Sequence, residues 1–580
     1  MTRTAADPVG KLLLGLAAVA VMFAAADTYV VVLALPAMMT SAGLSAEELQ
    51  RAAPVISGFL LGYVAVLPLV GRIADLRGRL PVLVGSLVLF VLGSLVTAAA
   101  YDLPSMVAGR VVQGIGGGGL VPATLALVAD LYPPHRRGLP LGVVGAVQEL
   151  GSVLGPLYGA LVLALGSWRD IFWVNAAAGL LLAAVIRRTG PARRTPDVTG
   201  LLLLAGVLAG VLMVMLQPPA LADDVTLGLA LLPLVGSSRW ASPIAVVALV
   251  LAVLLLARCL LARRPLVDLR SWRQTVTRVD VLAAALLAVA LGGIILTFAT
   301  ADPAVQVISP AGPWLLVTSA LAAAAFWWRN RRVADPLVPR GALAATPAWG
   351  ALLVSFFLGS ALIAALVDVP VFARVTVYGD SQLMAALVLL RFLLGLPVGA
   401  LLGGWWTHRA PAGLVTATGM LAATAGFAWM SQWGPEALRL PVATVPLALA
   451  GVGLGLAVAP VNAALLAATA APVHGVSSAL LVVARTVGML VGISALTTVG
   501  LRRYYAAQQQ LPSPDVVCAA GRTRCPRFVA MLQEAGLTQL HTIFVGAAVC
   551  CVIAGVLALL VLSRADTREV QTHPLRGGLG

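Results

Sequence analysis

Gly71-Arg72-Ile73-Ala74-Asp75-Leu76-Arg77-Gly78-Arg79-Leu80-Pro81-Val82-Leu83 joins two long apolar runs and carries one acid and three arginines in a turn bounded by glycine. Glycine lets a backbone reverse within a few residues. Charges beside hydrocarbon are costly, so a short connector that keeps four of them is rarely only a connector. Gly71, Asp75, Gly78 and Arg79 are therefore candidates for more than a connecting role at a membrane surface.

The surrounding chain fits that setting. Of 580 residues, 60% are apolar and only 11% charged, a composition foreign to soluble domains. Apolar runs of about 20 residues, enough to cross about 30 Å of hydrocarbon, predict an all-α polytopic membrane protein. Sixteen such helices are expected: six in residues 11–187, four in 199–329 and six in 346–563. The expected organisation is a six-helix bundle over 1–190, a linker with four extra helices over 191–340, a second six-helix bundle over 341–565, and a tail over 566–580. Within the linker, Asp197-Val198 opens one span pair and Asp280-Val281 another, and the pairs end in Arg264-Pro265-Leu266-Val267 and Asp335-Pro336-Leu337-Val338. This reads as a duplicated hairpin; one interrupted span and fourteen helices is the alternative.

The formal charge of +15 comes from 37 arginines and one lysine against 23 acids. No basic polar domain exists to bind nucleic acid. The arginines gather instead in alternate short loops, among them Arg136, Arg137, Arg187, Arg188, Arg263, Arg264, Arg331 and Arg332, while the loops between hold few. That asymmetry predicts a multi-pass protein of the plasma membrane with both termini cytoplasmic. The first apolar run is too long for a signal peptide and carries Asp27. Cys518 and Cys525 share a polar loop, Arg502 to Gln539, expected to face outward, where a disulfide and two free thiols are both compatible. That loop reads either as a solvated connector or as a docking surface for an envelope partner. Without paired histidines, no metal site is expected.

Several charges and glycines lie inside apolar spans. Asp27 sits mid-span in the first helix, where lost hydration makes its charge costly and brings proton exchange within reach; an acid locked to Arg110 is the alternative. Arg110 in the fourth span is expected to face a central cavity, or else to snorkel to a helix end. In the fifth span, Gly151, Gly155 and Gly159, with Pro156, make a smooth ridge for another helix, and Glu149 points away from it. The second half adds Asp368, Arg374, Arg391 and Arg485 as further cavity charges. Its copy of the opening turn, Gly403-Gly404-Trp405-Trp406-Thr407-His408-Arg409, has lost the acid.

These segments resemble motifs of the major facilitator superfamily. Residues 71–79 match its loop between helices 2 and 3, and Gly109-Arg110-Val111-Val112-Gln113-Gly114 its fourth-helix motif. The run Gln148 to Gly159 is similar to its antiporter motif, and Ala26-Asp27-Thr28 with Ala34-Leu35-Pro36 to a signature of the fourteen-helix drug:proton antiporter branch. Both halves also look like actinobacterial exporters of triacylglycerides and drugs. The resemblance implies that Asp75 and Arg79 form a latch that closes and opens, and that Asp27, Glu149 and Arg485 take part in coupling. It implies a proton-coupled exporter of hydrophobic compounds, drugs or lipids, driven by the proton gradient without another cofactor. A dedicated envelope-lipid exporter, with a lipoprotein partner in the envelope, is the alternative. A polytopic transferase is remote, because no nucleophile–base set is present.

Overall fold

The computed structural model describes residues 8–567 except 45–48, 190–196, 225, 263–264, 300–308, 379–380 and 519–524. Among the described residues there is no strand, and the long helices are α1 (Pro8–Ser41), α2 (Leu49–Arg77), α3 (Arg79–Ala98), α4 (Leu103–Leu131), α5 (Gly138–Leu165), α6 (Trp168–Thr189), α7 (Val198–Leu216) and α8 (Pro243–Leu261). They continue as α9 (Val281–Ala299), α10 (Gly312–Arg332), α11 (Thr346–Thr376), α12 (Gln382–Trp406), α13 (Ala412–Met430), α14 (Thr444–Ala467), α15 (His474–Gln509) and α16 (Pro526–Val561). Fifteen are long and apolar enough to cross a membrane. The sixteenth, α10, falls short because Trp314, Trp327, Trp328 and a run of arginines lower its hydropathy. Those tryptophans are exposed near its two ends, where an aromatic belt favours them.

Local signals set several boundaries. Asp102 accepts from the Ser105 backbone N–H at 2.9 Å, and the Ser105 hydroxyl answers the Asp102 backbone, so α4 starts on a reciprocal cap. Gly78 adopts φ +94°, a left-handed conformation that separates α2 from α3 without a longer loop. Along α4, the glycines at 114, 116 and 118 bring its backbone against α2 and α3; a Cβ at Gly116 would lie 2.2 Å from the Phe90 nitrogen. Close packing accounts for the glycine run.

The first six helices and the last six repeat one contact pattern. α1 packs on α4, α5 and α6, α2 and α3 on α4, and α3 on α6; α11 to α16 pair in the corresponding order. The two bundles meet where α2 lies along α15 and α5 along α12. α9 and α10 form a hairpin, with α9 also lying against α2 and α15. The hairpin of α7 and α8 is peripheral, with Leu202, Val247 and Leu249 exposed as a lipid-facing surface. Each hairpin carries the same lock. Asp197 accepts from the Gly200 N–H at 3.0 Å and from Arg258 Nη2 at 2.5 Å; Asp280 accepts from the Ala283 N–H at 3.0 Å and from Arg329 Nε at 2.7 Å.

One expectation needs correction. The stretch 502–539 is not a long loop: α15 runs on to Gln509 and α16 begins at Pro526, each helix spanning 36 residues. At 1.5 Å per residue each is about 54 Å long, well beyond the thickness of hydrocarbon. Their contact along one another supports the polar turns outside the membrane. At the tip, a disulfide joins Cys518 to Cys525 across a Cα separation of 5.6 Å.

Candidate transport site and gate

The opening turn of the sequence lies at the face carrying the arginine-rich loops, here the basic face. The Asp75 carboxylate accepts backbone N–H groups from Gly475 at 2.9 Å and Val476 at 3.1 Å, so an acid of the first bundle caps α15 of the second. Free N–H groups and the helix dipole make that end of a helix attractive to a negative charge. Arg79 pairs with Asp75, donates to the Ala471 carbonyl at 3.3 Å, and stands 3.4 Å from Asp130. Gly71 admits the approach: a Cβ there would be 2.5 Å from the Gly475 oxygen. Three of the four residues singled out from the sequence, Gly71, Asp75 and Arg79, thus meet at one bundle-to-bundle contact, while Gly78 makes the break between α2 and α3. Two partners carried no motif signal. Asp130 completes the pair network, and Arg137 donates to the Leu466 carbonyl of the second bundle at 3.3 Å. A lone acid at a helix end beside arginine-rich Pro133-Pro134-His135-Arg136-Arg137 was the available clue.

At the α5–α12 seam the contact is backbone on backbone. A Cβ on Gly404 would sit 2.6 Å from the Gly138 oxygen and 2.9 Å from the Gly142 Cα. The sequence copy without its acid therefore closes by shape. Its Thr407, at the position matching Asp75, turns its hydroxyl back to the Gly403 carbonyl at 2.5 Å.

Deeper between the bundles, Glu149 of α5 faces Arg485 of α15 across 3.8 Å. Arg485, Gln148 and Asn462 line a cavity of about 30 Å3 otherwise walled by residues such as Val121, Leu125 and Leu358. That is room for about one water, so the substrate path is narrow in this state. Gly359 positions the arginine: a Cβ there would meet the Arg485 carbonyl oxygen at 2.1 Å, so α11 holds α15 at backbone contact. The expected glycine ridge behaves differently. Gly151 and Gly155 face the backbone of Met22 and Ala26 in α1, and Gly159 faces Val30, so the ridge packs within the first bundle. The face it leaves free is the one that brings Glu149 to the second bundle. The backbone at Pro156 continues α5 between them.

Asp27 and Arg110 form a separate, sealed network. Asp27 is 0% and Arg110 1% exposed, and the two pair directly. Gln113 and Asn175 donate to the same carboxylate at 3.0 and 2.5 Å, Gln113 also donates to Ser94 at 2.9 Å, and Arg110 donates to the Val55 carbonyl at 3.3 Å. Phe59 lies 4.3 Å from the guanidinium carbon. Contrary to expectation, Arg110 does not line the cavity, because its polar groups are consumed inside the first bundle. Asn175 of α6 is a working member of this network.

The remaining second-half charges do not converge on the cavity either. Arg374 is exposed near the end of α11, and Arg391 donates to Thr444 at 3.2 Å. Asp368 is buried at 5% exposure, and among the described residues it has no hydrogen bond or ion pair. No group of acids, histidines and cysteines suited to a metal occurs among the described residues.

Comparison with known proteins agrees with this geometry. The family model for the Major Facilitator Superfamily matches residues 17–328. A triacylglyceride transporter of Mycolicibacterium hassiacum is 35% identical over 575 residues, covering 96% of this chain and 93% of that protein. One from Mycobacterium tuberculosis is 34% identical over 573 residues, covering 96% of each. The human organic anion transporter MFSD10 (TETRAN) shares the fold, with a TM-score of 0.51 at 14% identity, covering 95% of this chain and 100% of that one. With two repeated six-helix bundles, a charged contact between them and these relatives, the chain belongs to the Major Facilitator Superfamily and is a membrane transporter, not an enzyme.

Proposed function

We propose that the chain exports a lipid-like hydrophobic substrate, of the triacylglyceride class, by alternating access coupled to protons. The observation that carries this reading is the Glu149–Arg485 pair, which joins the two bundles beside the cavity that Arg485 lines. The bundles cannot separate at that level without breaking the pair, and protonating Glu149 removes the charge that holds it. Proton binding and bundle separation are then one event, the requirement for coupling. Asp27 acts at one remove, fixing α1 to α4 and α6. The basic face is cytoplasmic, both termini lie there, and the state described is closed to the cytoplasm at the plasma membrane. Residues 1–190 and 341–565 rock as two bodies, with 191–340 as a duplicated linker hairpin. The extension of α15 and α16 offers an envelope lipoprotein a surface near the exit.

Support for the lipid class comes from the curated relatives, which are named triacylglyceride transporters over nearly their whole length. Drug efflux is the second reading, favoured by the antiporter-like run around Gly151 and Gly155. Purified protein in liposomes, given a fluorescent triacylglyceride analogue and an imposed pH gradient, separates these. Gradient-stimulated transfer should be lost in Glu149→Gln, while gradient-free exchange persists. Equal stimulation in wild type and Glu149→Gln would sink the coupling role. Gradient-driven movement of a lipophilic cationic dye, with no movement of the lipid analogue, would make drug efflux the function.

A further inference from the structure

Outside the latch, on the lipid side of α2, a cleft of about 380 Å3 opens at the basic face, lined by Arg72, Leu76, Arg278 and Asp335. Its walls come from three parts of the chain. Arg72 and Leu76 are one turn apart on α2, the same turn whose other side carries Asp75. Arg278 ends a short amphipathic helix, Leu269–Arg278, and Asp335 follows α10. The amphipathic helix is pinned to α2 by Arg77, which donates to Thr275 at 2.5 Å and Ser271 at 3.0 Å and lies 4.8 Å from the Trp272 ring.

Two features mark this cleft as a binding site. Among the described residues, no ion pair joins Arg72, Arg278 and Asp335, so opposite charges face one space without neutralising each other. The Arg72 Nε is buried with no hydrogen-bond partner, and a buried, unsatisfied guanidinium donor is expensive. Guanidinium groups match phosphate oxygens in geometry and charge. The two arginines and one carboxylate leave a single net positive charge. That complements the one negative charge of a phosphodiester better than the nearly two of inorganic phosphate at neutral pH. Leu76 supplies an apolar wall, and an interfacial helix at headgroup depth supplies the other.

We propose that this cleft binds the phosphodiester of a membrane phospholipid headgroup, held between Arg72 and Arg278 with Asp335 excluding dianionic phosphate. The bound lipid ties the α9–α10 hairpin to the outer side of the latch turn, and its occupancy is independent of what the transporter carries. Native mass spectrometry of the full-length protein with dioleoylphosphatidylglycerol as probe tests the assignment. The tightly retained lipid should fall at least ~5-fold in Arg72→Gln/Arg278→Gln, because both charge-assisted contacts are lost. Arg278→Gln alone, at an exposed position that leaves folding intact, should lower it ~3-fold. Millimolar inorganic phosphate should displace the lipid from Asp335→Asn but not from wild type. Unchanged lipid retention in both arginine variants overturns the site. Displacement from wild type by inorganic phosphate overturns the lipid assignment in favour of a free-phosphate site.

Discussion

At the α2–α15 seam a carboxylate reaches across to the end of a helix in the other bundle; at the α5–α12 seam two glycine-bearing helices press backbone to backbone. The helices are equivalent in the two repeats, and both seams close the same face. The first contact is a charge meeting the N–H groups of α15, so it depends on one charge and one direction. The second is a matter of volume and has no charge to lose. A gate with both kinds of closure can be released electrostatically on one side while the other serves as a smooth bearing.

Removing the acid is the strongest way to break that contrast. Asp75→Ala strips α15 of its cap and leaves Arg79 only Asp130 and the Ala471 carbonyl, a loss of about 3 kcal/mol by analogy with other severed buried pairs. The closed state should become roughly a hundredfold less favoured, read as labelling of a cysteine placed at Ala479, which packs on Gly71. Asp75→Asn keeps an acceptor oxygen for the α15 N–H groups and loses only the charge, so it should open the gate less than Asp75→Ala. Protected cysteine in both variants would deny the latch.

Gly404 should respond to volume instead. Gly404→Ala and then Gly404→Val should open the seam progressively, costing about 1–3 kcal/mol through overpacking, with transport falling in the same order. Equal effects from Ala and Val would mean that shape does not govern this side.

Grafting the lost acid sharpens the comparison further. Thr407 lies against Gly138, and a Cβ built on that glycine would be 3.2 Å from the Thr407 Cβ, at a helix start that has no side-chain cap. Thr407→Asp should cap α5 as Asp75 caps α15, lowering labelling of a cysteine at Ala400 by roughly threefold, the worth of one helix cap of about 0.6 kcal/mol. Increased labelling would show that the second seam cannot use a charge.

The smallest effect belongs to the peripheral hairpin. Arg258→Gln removes the lock to Asp197 far from either seam and should leave transport within about twofold, as for most half-exposed pairs. Arg329→Gln, in the hairpin whose α9 touches α2 and α15, should disturb gate labelling more. A larger effect from Arg258→Gln would reassign the moving hairpin.

Much of this molecule was legible in the chain. The membrane class, the paired bundles and the likeness of the two linker hairpins follow from apolar length and charge spacing, which are local or periodic properties, and the α2–α3 turn was singled out by its resemblance to a family motif. Partnership was not local. Asp27, Glu149 and Asp368 are each an acid within an apolar run and look alike in sequence. Packing gave Asp27 three polar neighbours on α4 and α6, gave Glu149 a single arginine across the bundle boundary, and gave Asp368 none among the described residues. Likewise the polar composition of 502–539 signalled exposure correctly, yet only the pairing of α15 with α16 made most of it helical. Hydropathy records the cost of placing a group in lipid; which group offsets that cost depends on helices brought together from hundreds of residues away.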